Sequence, residues 1–295
     1  MLSLKVADLS TLQLQNYLQY AIAPRPICFA TTIDQDGRVN LSPFSFFNMF
    51  STNPPMCVFS PSRRVRDNTT KHTLENVLEI KECVINIVDY SMVQQMSLAS
   101  TEYAKGINEF EKAGFRMLPS ETIKPPRVAE APVQFECVVT EVISLGKNPG
   151  AGNLVLAEIK VIHIAEHILD EDGKIDQEKI DLVARLGGDW YCRVTKDNLF
   201  KVPKPLTSLG IGVDALPVGV RNSFVLTGND LGMLGNVDSL PSPEEIDEVM
   251  VLPEVKEVLD ATIGDQSNRT RELHELAKHL LTLGKVEIAL RVALL

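Results

Sequence analysis

The sequence predicts a mainly β fold with helices at its periphery, and three observations carry that prediction. The runs ICFATTI (Ile27–Ile33) and RVNLS (Arg38–Ser42) flank DQDG, whose Asp-Gly chemistry suits a tight turn, so the three read as a hairpin. FSFFNMF (Phe44–Phe50) and MCVFS (Met56–Ser60) each follow proline, which is tolerated at strand starts because it has no N–H to lose from the ladder. Two long apolar runs, Val133–Ile143 and Leu154–Ile168, are separated by the turn-forming GKNPGAGN, and Val133, Phe135, Cys137 and Val139 share a face at period two.

The helices are legible from caps and apolar spacing. Ser10 is a fitting N-cap for an amphipathic helix over residues 8–20, with Leu14, Tyr17 and Leu18 on the face expected to pack on the strands. A helix from His72 to Ile80 places Leu74, Val77 and Leu78 on one side, and CVINIVD (Cys83–Asp89) follows as a buried strand. SMVQQMSLAS reads as a helix capped by Ser91, with Met92 and Met96 in the core, and Asn108–Ala113 as another, ended by Gly114. The connection over residues 101–132, punctuated by Pro119, Pro125, Pro126 and Pro132, is long enough to cover a ligand mouth, and DEDGK (Asp170–Lys174) is a turn.

Residues 1–200 and 201–295 are expected to be separate regions. Lys201–Val237 is rich in Gly and Pro yet too apolar for disorder, so it is expected to wrap over the strands, with its glycines forming turns. Ser242 with Pro243 opens a helix, Pro253 restarts a second, and Leu273, Leu276, Ala277 and Leu280 form the stripe of a third, broken near Gly284.

Of the 295 residues 44% are hydrophobic and 23% charged, an ordinary globular composition. Without an apolar run of about eighteen residues there is no candidate spanning helix, and the first residues lack the basic-then-apolar pattern of a secretory signal, so a cytoplasmic protein is expected. Five widely spaced cysteines (Cys28, Cys57, Cys83, Cys137, Cys192) read as buried free thiols. The net charge is −10, and from Leu206 onward there are 14 acids against 7 bases, the opposite of a nucleic-acid binder.

One stretch inverts that polarity. PSRRVRDNTTK carries Arg63, Arg64, Arg66 and Lys71 against Asp67 alone and runs into the start of the helix at His72. Cations beside a helix N-terminus, where N–H groups lack partners and the helix dipole is positive, make an anion site that suits a phosphate. The aromatic, polar-dotted Ser45–Asn48 offers a flat heteroaromatic ring apolar faces and hydrogen-bonding partners. A planar ring joined to a phosphate suggests flavin mononucleotide (FMN). Neither a dinucleotide-type G-x-G-x-x-G nor a G-x-x-x-x-G-K-[ST] loop follows a strand. His163 and His167 lie four apart on a predicted strand, so they share a face. Without a third ligand they make no metal site, and His163 reads as a strand histidine with no special task, a flavin-side role being the alternative.

PRPICFATTIDQDGRVNLSPFSFFN, PPMCVFS, KHTLEN and ARLGGDWYCRV (Ala184–Val194), in that order, resemble the flavin reductase-like family of FMN-binding split β-barrels over roughly residues 15 to 200. The resemblance implies an antiparallel, Greek-key-like barrel, usually a homodimer with flavin at or near the interface. It implies that Arg63, Arg64, Lys71 and Thr73 hold the phosphate, that Ser45, Phe46, Phe47 and Asn48 line the isoalloxazine edge, and that Ser60 sits near the ribityl chain. It also places Arg185 and Trp190, around Gly187-Gly188, close to the flavin or the partner subunit. The activity it implies is flavin reduction by NADH or NADPH. Hydride transfer requires no protein acid, so no catalytic residue is named. The alternatives are an electron-transfer flavoprotein of the ferric reductase or flavoredoxin kind, which docks a redox partner protein or reduces a metal chelate, and a scaffold that has lost the chemistry and binds another phosphorylated ligand.

Overall fold

The computed structural model describes residues 1–203 and 209–295, and its chain forms two units, Met1–Leu199 and Phe200–Leu295. In the first, β1 (Arg25–Pro26) leads into β2 (Cys28–Ile33), which turns into β3 (Val39–Phe44). Asp34 closes that turn: its Oδ1 accepts the backbone N–H of Asp36 and Arg38, and Gly37 takes a φ of +78°. β4 (Phe47–Thr52), β5 (Pro55–Phe59) and β6 (Glu82–Ile87) follow, then the short β7 (Met117–Leu118) and β8 (Arg127–Val128), the long β9 (Val133–Ser144) and β10 (Asn153–Ile164), and finally β11 (Val183–Arg185) and β12 (Tyr191–Arg193).

The main sheet is antiparallel with order β3-β2-β6-β9-β10-β5-β4. Its two edge strands, β3 and β4, are joined by Ser45 and Phe46 alone, and two residues reach only about 7 Å. The sheet therefore curls until its edges approach, which makes a barrel split between β3 and β4. A second sheet, β1-β11-β12, stands beside it.

β2 is buried along its whole length because each face covers a different core. Cys28 and Ala30 point into the barrel with Phe44, Phe59, Ile85 and Val155, where α2 (His72–Glu79) inserts Leu74 and Val77. Ile27 and Phe29 face the other way, under α3 (Val93–Ala99) and α4 (Glu109–Ala113), with Met92, Met96 and Phe110. Cys28, Cys57, Cys83 and Cys137 are buried free thiols, and Cys192 is half-buried. Gly114 ends α4 as expected, and Asn108 is its N-cap, one residue outside the helix. Ser91 caps no helix: it lies in a 3-10 turn (Tyr90–Met92) that Asp89 caps by accepting the Met92 N–H, and α3 follows that turn without a side-chain cap.

The N-terminal helix α1 (Thr11–Ala21) is closed by a capping box of Ser10 with Gln13, yet none of its residues is buried. Gly187 makes room for it, because a side chain there would strike the Tyr20 ring.

The two histidines separate. β10 ends at Ile164, and His167 lies in a following 3-10 turn, so they share no face. His163 also has a task, because it is half-buried and its Nε2 lies 2.9 Å from the carboxylate of Glu136, which is wholly buried on β9. Glu136 also accepts the N–H groups of Glu121 and Thr122 and the Thr122 hydroxyl, which pins the proline-rich connection to the barrel. Burial alone would raise its pKa, but these donors, led by Thr122, hold it down at about 2.

The second unit is helical: α5 (Val218–Arg221), α6 (Gly228–Leu234), α7 (Pro243–Asp247), α8 (Pro253–Ala261), α9 (Gln266–Thr282) and α10 (Val286–Ala293). Leu216, Val220 and Leu234 pack with Leu273, Ala277 and Leu290 in a core of its own. Gly228 and Gly232, expected in turns, lie in α6, where the Thr227–Asp230 capping box outweighs the poor helix propensity of glycine. Ser242 caps α7 and Gly284 separates α9 from α10 at a φ of +72°. Among the described residues no helix is long and apolar enough to cross a membrane.

Candidate functional site

Three backbone bonds fold the cationic loop back over the end of the barrel. Ser60 N–H donates to the Phe46 carbonyl, Arg63 N–H to that of Ala151, and Gly150 N–H to that of Arg63. The loop, Phe46 from the β3–β4 connection, and the underside of α1 then border a half-open cavity of about 420 Å³, within the range of small-molecule sites. Leu14, Leu18, Ile22, Phe46 and Val65 supply its apolar walls, and Arg63, Arg64, Lys71 and Arg25 its charge.

The four cations differ in what they have left to offer. Arg63 spends its Nε and Nη2 on the side chain and carbonyl of Asn68. Arg64 pairs with Glu102 at 2.8 Å and donates to Thr69 and Thr70. Lys71 stands at the N-cap position of α2; its ammonium has no hydrogen bond or ion pair among the described residues, and its Nζ lies 5.7 Å from the centre of the Phe44 ring. Burial first, and Arg64 second, push its pKa below the ordinary lysine value. An ammonium held in that state at a helix start favours an incoming anion.

Thr73 lies in the first turn of α2, buried, its hydroxyl accepting from Asn40. With Lys71, Arg64 and Ser42 it borders a pocket of about 30 Å³. Of the four residues expected along a ring edge, Phe46 lines the larger cavity, whereas Phe47 turns inward against the barrel core. Asn48 is exposed, its side chain accepting from Met49 N–H, and Ser45 and Ser60 are half-buried outside the lining. Arg185 lines a separate cavity of about 410 Å³ with Tyr90, Tyr191 and Arg193, and Trp190, 71% exposed, lines neither.

Sequence reasoning missed Arg25 and the apolar underside of α1. Arg25 is 8% exposed, and its Cζ stands 5.9 Å from the Phe46 ring centre. The signal available was the cation of PRP set directly before the β-branched and largely apolar run Ile27–Ile33. Among the described residues no cluster of three or more His, Cys, Asp or Glu is placed to hold a metal ion.

A split antiparallel barrel whose edge opens on an apolar, cation-bordered cavity defines a class of cofactor-binding barrels. The chain belongs to the flavin reductase-like family: the family described as "Flavin reductase like domain" matches residues 20–179. An uncharacterized protein of Aquifex aeolicus is 37% identical over 61% of this chain and 90% of its own length. The crystal structure of nitrilotriacetate monooxygenase component B from Bacillus cereus is 30% identical, covers 68% of this chain and 98% of that one, and superposes with a TM-score of 0.64. A candidate flavin reductase with a split barrel domain from Shewanella frigidimarina is 26% identical over 67% and 95% of the two chains, with a TM-score of 0.58. Family and fold make a flavin the cofactor class, and the cavity's volume, apolar walls and unsatisfied cations fit such a group.

Proposed function

We propose that this chain binds FMN non-covalently in the 420 Å³ cavity and reduces it with NADH or NADPH. The observation that carries the reading is Lys71, an ammonium with no partner among the described residues, at the start of α2 and on the same cavity as the exposed face of Phe46. Lys71 and Arg64 hold the phosphate, Thr73 supports the α2 turn that presents Lys71, and Phe46 with Leu14 and Leu18 orients the ring and excludes water. A bound flavin supplies the hydride and electron chemistry, and the protein positions it and sets its charge environment. The likeness to a monooxygenase component supports handing reduced flavin to a separate oxygen-using enzyme.

A homodimer is part of this reading. Tyr17 and Tyr20 on α1, and Met49 and Phe50 on edge strand β4, leave large apolar side chains exposed, as a surface covered by a second copy does. A cytoplasmic location suits it as well.

A second reading is favoured by the charge of residues 206–295, where acids outnumber bases two to one. This is a flavin-based electron carrier that docks a basic redox partner and never meets a nicotinamide. One titration separates the two. Purified protein with its flavin, mixed anaerobically with NADH or NADPH, loses the visible flavin band if it is a reductase. An unbleached band rejects that activity in favour of the carrier, and a protein that takes up no flavin rejects both.

A further inference from the structure

Arg25 is a buried guanidinium that no carboxylate among the described residues neutralises. Its Nη1 donates to the carbonyls of Gln19 and Ile22, both at 2.6 Å, and its Nη2 to that of Leu186 at 2.8 Å, while Nε has no partner. The three carbonyls fix the plane of the group without cancelling its charge. No Asp or Glu among the described residues comes within ion-pair distance, and its register partner across the β1–β11 pair is another cation, Arg185. Burial first and Arg185 second weaken its hold on its proton. A cation desolvated in this way gains most from a negative charge that enters the cavity it lines.

Two such cations border one cavity, Lys71 and Arg25, and the phosphate of FMN accounts for only one. Arg25 stands on the side of Ile22 and Phe46, where a ring and not a phosphate is accommodated. The oxidised isoalloxazine ring is neutral. Two electrons and one proton leave it with one net negative charge, shared between N1 and the C2 carbonyl oxygen.

We infer that Arg25 is the counter-charge of the reduced flavin ring, a cofactor-tuning residue that makes this protein hold reduced FMN more tightly than oxidised FMN. The inference rests on the flavin reading of the cavity. It makes the anchoring carbonyls of Gln19, Ile22 and Leu186 the device that keeps the charge at the ring. It also separates the two cations by role: Lys71 serves both oxidation states equally, because the phosphate does not change charge at the ring's reduction, and Arg25 serves one.

The test is the midpoint potential of bound FMN, measured by equilibration with redox dyes, in the full chain and in Arg25→Gln, Arg25→Lys and Lys71→Ala, with protein in excess so that the FMN is bound. In the full chain the bound potential is expected above that of free FMN. Arg25→Gln is expected to weaken reduced FMN relative to oxidised FMN by about tenfold, which for a two-electron couple is a potential lower by about 30 mV. Arg25→Lys, which loses the same carbonyl fork but keeps the charge, is expected within about a third of that shift, and Lys71→Ala is expected to weaken both forms together and leave the potential in place. A wild-type potential at or below that of free FMN overturns the inference even if no variant folds, as does an Arg25→Gln potential equal to wild type. A full chain that binds no FMN removes the flavin reading itself, a result distinct from either.

Discussion

Two regions of the first unit are built from arginine beside aromatic rings, and they come out differently. Around β11 and β12, Arg193 stacks 3.8 Å from the Tyr90 ring centre and pairs through Nε and Nη2 with Asp181. Arg185 stacks on Tyr191, bonds the Tyr191 hydroxyl and the Gly188 carbonyl, and has Asp189 at 3.8 Å. That region satisfies its own cations. Around Phe46, Arg64 has Glu102, but among the described residues Lys71 and Arg25 have no acid within ion-pair distance. Cavities of nearly equal volume, about 410 and 420 Å³, therefore differ in what they ask of a ligand. An arginine beside an aromatic ring is a motif that serves structure as readily as binding. The charge left over after the protein has paired its own groups tells the two apart.

The largest expected effect breaks the contrast outright. Replacing Arg64 and Lys71 together by alanine removes two charge-assisted contacts of about 1.5–3 kcal/mol each, and FMN affinity is expected to fall at least about a hundredfold. Fluorescence titration reads this directly, with Arg185→Ala as the comparison, expected to change affinity by less than about threefold. Equal losses in the two variants would show that both regions hold the ligand.

Raising the pH separates Lys71 from the arginines. Of the two forms of Lys71 only the protonated one attracts phosphate, and its folded pKa lies below the ordinary 10.5, so FMN affinity is expected to fall as pH rises through that lowered value. Binding should take up a proton over the same range, since a phosphate raises the Lys71 pKa again. Calorimetry in two buffers of different ionisation enthalpy measures the uptake, and Lys71→Met should abolish it.

A smaller effect sharpens the comparison from the other side. Glu102 is held below its ordinary pKa by Arg66 first and Arg64 second. Glu102→Gln frees Arg64, and since exposed pairs are worth about 0–1 kcal/mol, FMN is expected to bind up to about fivefold more tightly with a steeper salt dependence. Acidifying the wild type through the lowered Glu102 pKa should move affinity in the same direction. Tightening absent from both would mean that Arg64 does not face the anion.

The smallest effect is Asp181→Asn, which frees Arg193 beside Tyr90. FMN affinity is expected to stay within about twofold, because an exposed pair is worth so little and the freed cation lines the wrong cavity. Tighter FMN binding in this variant would move the cofactor to the β11–β12 region.

Much of the frame was legible because its causes are local. DQDG turned as its Asp-Gly chemistry dictates, Ser10 and Ser242 capped their helices, and period two put Val133, Cys137 and Val139 in the barrel or its adjoining core. Ser91 failed as a cap because Asp89, two residues upstream, offers the better acceptor to the Met92 N–H. His163 was read as idle because its partner, Glu136, arrives from the neighbouring strand. At the site, the cationic run and Phe46 were visible as residue types. Arg25 was not, because a single arginine between two prolines carries no periodic signal.

By itself the sequence determined most of the strands, the Asp-Gly turn, the Ser10 and Ser242 caps, and a cluster of positive charge before a helix start, since propensity and capping act over one to four residues. The tertiary structure decided which of those charges stay available. Arg64 meets Glu102 across 38 residues and Arg25 meets Leu186 across 161, and no local pattern encodes either meeting. Coulombic pairing and desolvation depend on what the folded chain brings within a few ångströms, so the free cations of the cavity exist only once the barrel has closed and α1 lies over its edge.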